Sequence, residues 1–481
     1  MAQPTSLRQQ TKLAIFWSFF NNASTQIIQF VIGLILARLL SPADYGTIAM
    51  PMVFLAVAKC FIYSGFGSAI IRKPDLKEED LSTAFYFNII VGIICYVILF
   101  FTSPLIADFY NTPILADILK VTSLTTLLGP LQSVHFSLFS RNLDFKTPAR
   151  ISIASTLTTG FVGIVLAYSG FGIWALVFQG VAGQLLCLIL AWTLSPWRPK
   201  TGWSNESFHY LFGYGSKILV SSILDTLYDN IIPIFVGKFY SPTDLGIFNR
   251  GKNYAVLPQT QISGVLNRVS FPVLSKLQDN EEKLYSYFRR ILRLIIYSLA
   301  PVELLLAALA RPLILVMITS KWEDSIIILQ LSCFAVMLWP IQSLNMKLFM
   351  VKGRTDLVLK ANVVIKCMLT VVMFASLPFG LIGICIGSII RAVMAITWVS
   401  YYAGKFSNFG IKKQFAEMAP PMALSLSMFL LVSLVIHFID SLYLQIVIGG
   451  LVGGCYYLGI SYALKFQELT DLLYLLHIKK R

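Results

Sequence analysis

Ala37-Arg-Leu-Leu-Ser-Pro-Ala-Asp-Tyr-Gly46 ends one long apolar run and opens the next, and Gly237-Lys-Phe-Tyr-Ser-Pro-Thr-Asp-Leu-Gly246 repeats it 200 residues later. Arg38 answers to Lys238, and Ser41, Pro42, Asp44 and Gly46 answer to Ser241, Pro242, Asp244 and Gly246. A helix-turn-helix junction that recurs in register implies two copies of one large unit. The correspondence extends onward: Ser103-Pro-Leu-Ile106 matches Arg311-Pro-Leu-Ile314, Pro130-Leu-Gln-Ser133 matches Pro340-Ile-Gln-Ser343, and Gly170-Phe171 matches Gly380-Leu381, the offset drifting only from 200 to 210.

The composition sets the class. Hydrophobic residues make up 57% of the 481 and charged residues only 13%, against about 25% charged for a soluble domain. Spanning hydrocarbon takes about 20 apolar residues per helix, because every backbone polar group must be satisfied internally. The runs lack the period-2 alternation of a membrane barrel, so the expected fold is an all-α polytopic membrane protein. Fourteen transmembrane helices are expected, at about 13–39, 46–71, 81–103, 118–140, 149–168, 172–195, 209–237, 245–275, 285–309, 325–351, 356–377, 381–403, 416–436 and 442–464.

Residues 1–200 and 201–405 are then two six-helix bundles. Six is even, so both copies enter from the same side, and the repeat is parallel about a pseudo-twofold along the membrane normal. Transmembrane helices 13 and 14 occupy 406–464, and 465–481 is an amphipathic tail on the membrane surface ending in Lys479, Lys480 and Arg481. Residues 1–12 are polar and Leu13–Leu40 is too long for a signal core, so the first run is expected to stay in the mature protein. The seven cysteines are scattered without CxxC spacing and read as small core residues, with neither metal nor disulfide.

Charge orients the chain. With the N-terminus cytoplasmic, cytoplasmic segments carry 25 Lys and Arg, whereas the outer loops carry three, Lys238, Arg311 and Lys321. The positive-inside rule therefore places both termini in the cytoplasm. It also absorbs most of the net charge of +15, which argues against nucleic-acid binding.

Ten cations remain inside the spans: Arg38, Lys59, Lys120, Lys217, Arg250, Lys252, Arg268, Lys347, Lys366 and Arg391. Only Asp225, Asp229 and Glu303 share that location. An ionisable group on a spanning helix faces a wet cavity or a partner, although Arg38, Lys120 and Lys347 are near enough to span ends to snorkel. Asn22, Gln26 and Gln29 form one stripe on the first span, and the repeat offset carries them to Ser222, Thr226 and Asp229. The stripe lines a cavity, or it bonds neighbouring helices in lipid.

An excess of cations attracts anions, phosphates and pyrophosphates above all. Asp225 and Asp229 serve as a proton or sodium site or pair with Lys217 and Arg250, and the sequence leans to pairing. The isolated histidines and the absence of HExxH, Walker or GxSxG patterns point away from an enzyme, and no cofactor is expected. Gly449, Gly450, Gly453 and Gly454 form small-xxx-small pairs, read as close helix packing within a monomer.

The repeated junction, the two six-span halves and Arg141-Asn-Leu-Asp-Phe-Lys146 after the fourth span resemble the polysaccharide-transporter branch of the multidrug/oligosaccharidyl-lipid/polysaccharide exporter superfamily. Wzx-type exporters of the colanic acid and teichuronic acid kind are the most similar. The resemblance implies a flippase of the bacterial inner membrane that turns undecaprenyl-pyrophosphate-linked oligosaccharides to the outer leaflet by rocking of its halves. Partners would be this anionic lipid-linked substrate and membrane lipids, with a polysaccharide polymerase and glycosyltransferases alongside. It also implies that spans 1, 2, 7 and 8 line the cavity and that Lys59, Lys217, Arg250, Lys252 and Arg268 meet the pyrophosphate. Arg38 and Lys238 then mark the outer rim, while Pro and Gly around Asp44 and Asp244 make structural corners. A cation-coupled drug antiporter of the same superfamily and a non-transporting scaffold of a polysaccharide assembly complex are the alternatives.

Overall fold

The computed structural model describes residues 7–63, 65–407 and 409–475, without the side chains of 7–12, 14, 15, 265–269 and 472–475. The described chain is helical and contains no strand. It forms two compact units, Met1–Gly246 and Ile247–Arg481.

The first unit opens with α1 (Leu7–Leu39), α2 (Pro42–Ala49), α3 (Met52–Tyr63), α4 (Phe66–Arg72) and α5 (Glu78–Tyr110). It continues through α6 (Ile114–Thr122), α7 (Leu124–Leu128), α8 (Pro130–Arg141), α9 (Lys146–Tyr168), α10 (Ile173–Leu194), α11 (Asn205–Asp229) and α12 (Ile231–Phe239). α13 (Pro242–Lys276) runs on into the second unit, followed there by α14 (Glu281–Ala308), α15 (Ala310–Ile318), α16 (Ser325–Val336) and α17 (Trp339–Val351). α18 (Thr355–Ser376), α19 (Gly380–Phe406), α20 (Ile411–His437), α21 (Leu442–Ala463) and α22 (Gln467–Leu475) complete it.

Local chemistry starts these helices. At the first junction Ser41 Oγ accepts from the Asp44 N–H at 3.2 Å, and Asp44 Oδ2 accepts from the Ser41 N–H at 2.9 Å. This is a capping box, with Pro42 at the first helical position. Ser241 and Asp244 build the same box at 3.1 and 3.0 Å ahead of Pro242. The Arg141–Lys146 stretch is likewise architectural. Arg141 donates to the carbonyls of Ile70, Lys73 and Pro74 at 2.6, 2.5 and 2.8 Å, tying α8 to the turn after α4. Asp144 accepts from the Thr147 N–H at 3.1 Å and caps α9.

Among the described residues ten segments are long and apolar enough to cross a membrane, or twelve if two bent pairs each count as one. Four places account for the difference from the fourteen spans read in the sequence. The α6–α8 and α11–α12 stretches are bent by 43° and 42°. Thr355–Phe406 counts once at 52 residues although it holds both α18 and α19, separated by a 3-10 turn. α13, which carries Arg250, Lys252 and Arg268 and contains Pro258 and Pro272, is too polar to qualify.

In the second unit α14 is the centre, packed chiefly on α20 and also on α15, α16, α17, α21 and α22. A buried amide pair, Asn345 and Gln414, exchanges two hydrogen bonds of 3.0 Å, and Ser400 donates to Gln414 at 2.9 Å, so α17, α19 and α20 share one closed polar network. In the first unit α1 packs on α9, and α9 on α10. The opposite flank of α1 exposes Phe16, Phe19, Phe20 and Ile27, as a lipid-facing helix does.

Candidate functional site

The structure distributes the candidate residues over the two units. Asn22, Gln26, Gln29 and Arg38 lie on α1, Lys59 on α3, Lys217, Asp225 and Asp229 on α11, and Lys238 on α12, all in the first unit. Arg250, Lys252 and Arg268 lie on the α13 part of the second unit. The side chain of Arg268 falls outside the described residues.

On α1, Ile28, Ile32 and Leu36 form the apolar stripe that packs inward. Asn22 and Gln29 are exposed and Gln26 half-buried, about 60° to 120° round from the centre of that stripe at 100° per residue. Arg38 is exposed too, but nine residues beyond Gln29, about two and a half turns, it points away from the polar stripe.

Lys59 and Lys217 share one helix pair. The Cys60 thiol of α3 lies 3.0 Å from Thr226 Oγ1 and 3.6 Å from the Ser222 carbonyl of α11. Five residues on, Gly65 meets Gly215, where a Cβ on Gly65 would stand 2.4 Å from the Gly215 Cα. The two helices therefore run antiparallel. Lys59, beside Cys60, is level with Asp225, beside Thr226. Lys217 lies eight residues from Asp225, about 12 Å along the same helix. Lys59, Lys217, Asp225 and Asp229 are all exposed, so a face of membrane-length helices presents charge.

The other candidates are engaged differently. Lys238 donates to the Phe109 carbonyl at 2.5 Å and stands 4.7 Å over the Phe109 ring, so its charge sits on the last carbonyls of α5. Arg250 lies 5.0 Å over the buried Trp322 and 5.7 Å over Tyr254, an aromatic brace that holds the guanidinium in place. Lys252 stands 5.9 Å from the Phe248 ring. Lys120 pairs with Asp117 at 3.2 Å.

One basic group was counted in the sequence only as loop charge. Arg289, Arg290 and Arg293 on α14, with Lys465, line a cavity of about 630 Å³ beside α22. Their partners are Glu417 at 2.7 Å from Arg289, Asp471 for Arg290 and Glu468 for Arg293. Arg293 follows Arg290 by three residues and Arg289 by four, and that spacing was the available signal for a shared face. The Asp471 and Glu468 pairs hold the amphipathic α22 against α14, and the Glu417 pair ties α14 to α20; the basic end Lys479–Arg481 lies outside the described residues.

The junctions themselves come together. Within the first unit a Cβ on Gly46 would stand 1.6 Å from the Pro242 carbonyl oxygen, and one on Gly246 would stand 2.0 Å from that of Pro42. The two copies of one sequence touch each other reciprocally, through the positions where neither has a side chain.

Comparison with known proteins agrees with this architecture. A family model described as polysaccharide biosynthesis protein matches residues 35–327, a range holding both junctions. The lipopolysaccharide biosynthesis protein WzxC of Escherichia coli is 26% identical over 409 residues, covering 82% of this chain and 81% of its own. The teichuronic acid biosynthesis protein TuaB of Bacillus subtilis is 25% identical over 355 residues, 73% of each chain. Among solved structures, the lipid II flippase MurJ superposes with a TM-score of 0.75 at 17% identity, covering 95% of this chain and 99% of that one. An inward-facing MATE transporter of the MOP superfamily gives 0.63 at 15% identity, over 79% and 95%. The repeated junctions, the helical membrane fold and the family match over residues 35–327 converge: the chain belongs to the polysaccharide biosynthesis protein family.

Proposed function

We propose that the chain is a flippase that moves undecaprenyl-pyrophosphate-linked oligosaccharides across the bacterial inner membrane for surface polysaccharide synthesis, by alternating access. What carries this reading is the exposed placement of Lys59 and Lys217 on the packed pair α3 and α11. Exposed ammonium groups on membrane-length helices are costly against lipid and favourable against water and an anion. A pyrophosphate offers several acceptor oxygens to such cations.

In this reading Lys59, Lys217, Arg250, Lys252 and Arg268 attract the pyrophosphate, while Asn22, Gln26 and Gln29 offer hydrogen bonds to sugars. Asp225 and Asp229 balance the cations, with Lys59 level with Asp225 across the helix contact. Arg38 marks the outer rim. Both termini face the cytoplasm, as the 25-to-3 charge asymmetry favours, and the protein works as a monomer beside a polymerase and glycosyltransferases. That WzxC and TuaB are named for lipopolysaccharide and teichuronic acid biosynthesis, and MurJ for lipid II flipping, supports the class of cargo.

The test is genetic and biochemical. Lys59→Ala and Lys217→Ala, introduced into the host strain, are expected to abolish surface polysaccharide while the protein remains at wild-type level in the membrane. Normal export by both variants would overturn the cationic pathway.

A further inference from the structure

Glu303 is the one interior acid to which the anion pathway gives no role. It lies on α14 within the second unit and is fully buried. Among the described residues neither carboxyl oxygen accepts a well-aligned hydrogen bond, and no Lys or Arg stands in an ion pair with it. Its polar neighbours are the Cys333 thiol of α16, itself fully buried, and the Gln259 backbone of α13.

Of the helices around Glu303, α13 carries Lys252 and Arg250 seven and nine residues before Gln259, about 10 and 13 Å along the helix. Glu417 of α20 and Glu468 and Asp471 of α22 pair with Arg289, Arg290 and Arg293, and the nearest of these arginines is ten residues away, about 15 Å along α14. Lys412, Lys413 and His437 are exposed near the ends of α20. Tyr457 of α21 donates to the Tyr297 carbonyl at 2.8 Å. Arg311 of α15 is taken by Glu323 at 3.7 Å.

An unpaired carboxylate in such surroundings costs several kcal/mol or more, a cost that the uncharged acid avoids. The backbone around it is interrupted twice. Pro301 precedes Glu303 by two residues, and Pro258 immediately precedes Gln259. Each proline removes the N–H that would bond the carbonyl four residues back, Tyr297 and Tyr254, so both helices can bend here at a reduced hydrogen-bond cost. The Tyr457 hydroxyl has taken over the Tyr297 carbonyl.

We propose that Glu303 is a proton-binding site of the transport cycle, filled while α13 closes over it and emptied to water when α13 bends away from α14 and α16. On opening, the carboxylic acid gives its proton to a water molecule and becomes a hydrated carboxylate; on closing it must take one back. Proton movement is thereby tied to the conformational cycle. The inference rests on the transporter reading, and its first test needs no cargo.

The first measurement uses the intact protein in lipid, without cargo. The infrared spectrum of the wild type at neutral pH is expected to contain the C=O stretch of a buried carboxylic acid, lost in Glu303→Gln. An unchanged spectrum in the variant overturns the assignment, whatever the cargo proves to be. In proteoliposomes, flipping of a fluorescent undecaprenyl-pyrophosphate disaccharide should accelerate with an imposed pH gradient in the wild type and lose that dependence in Glu303→Gln. Retained dependence in the variant overturns the coupling. Gln matches the shape of the neutral acid, and Glu303→Met, an apolar side chain of similar length, supplies the same two comparisons if the Gln variant does not accumulate.

Discussion

A methyl group on Gly46 would occupy the space of the Pro242 carbonyl oxygen, and one on Gly246 that of Pro42. Backbone cannot swing aside as a long side chain does, so Gly46→Ala must push the two junctions apart. Overpacking of this kind costs about 1–3 kcal/mol, and the purified variant should melt at a clearly lower temperature than the wild type. Gly246→Ala should do the same, and the double variant should fall short of the sum because both act on one contact. An unshifted melting temperature for either would mean that the junctions do not meet in the protein. Arg141 makes a comparable point at a polar residue: its fork holds three carbonyls of the turn after α4, a geometry that a lysine ammonium does not reproduce. The family-like Arg141–Lys146 stretch is thus a clamp and a helix cap, with no demand on a ligand.

At the scale of elements, two helices are started by the same four-residue device. The Ser41–Asp44 and Ser241–Asp244 boxes agree to within 0.1 Å in their hydrogen bonds. Replacing Ser41 or Ser241 with Ala should therefore cost α2 and α13 similar amounts, about 1 kcal/mol each, read as matching falls in the denaturation midpoint in detergent. Markedly unequal losses would show that the boxes differ in role. The interior helices divide by what they bury. α14 buries both apolar faces and one uncompensated acid, whereas α3 and α11 meet through small groups, Cys60, Ser222, Thr226, Gly65 and Gly215. Small residues at a helix contact let backbones approach, and in lipid that packing takes the place of the missing hydrophobic drive between helices.

For the whole molecule, the membrane orientation proposed from the charge asymmetry makes a direct prediction. In a background with the seven native cysteines replaced, single cysteines at Ala43 and Thr243 should react with an impermeant maleimide in intact cells, and one at Asn142 only after permeabilisation. The reverse pattern would invert the topology and remove the rim assignment of Arg38. The membrane class and the repeated junctions could be read from the chain alone, because apolar run length and a ten-residue motif repeated in register are local or additive properties. The polar stripe Asn22, Gln26 and Gln29 was legible for the same reason, since helical period alone places it on one face. Other features depend on which distant segments touch. That α11 packs with α3, α4 and α5 depends on tertiary contact. So do the engagement of Lys238 with the end of α5, the level placing of Lys59 and Asp225, and the complete burial of Glu303. The sequence by itself determined that there are two matching junctions; only the tertiary structure decided that they close on each other, because a glycine reveals its freedom along the chain but not the backbone that comes to fill the space it leaves.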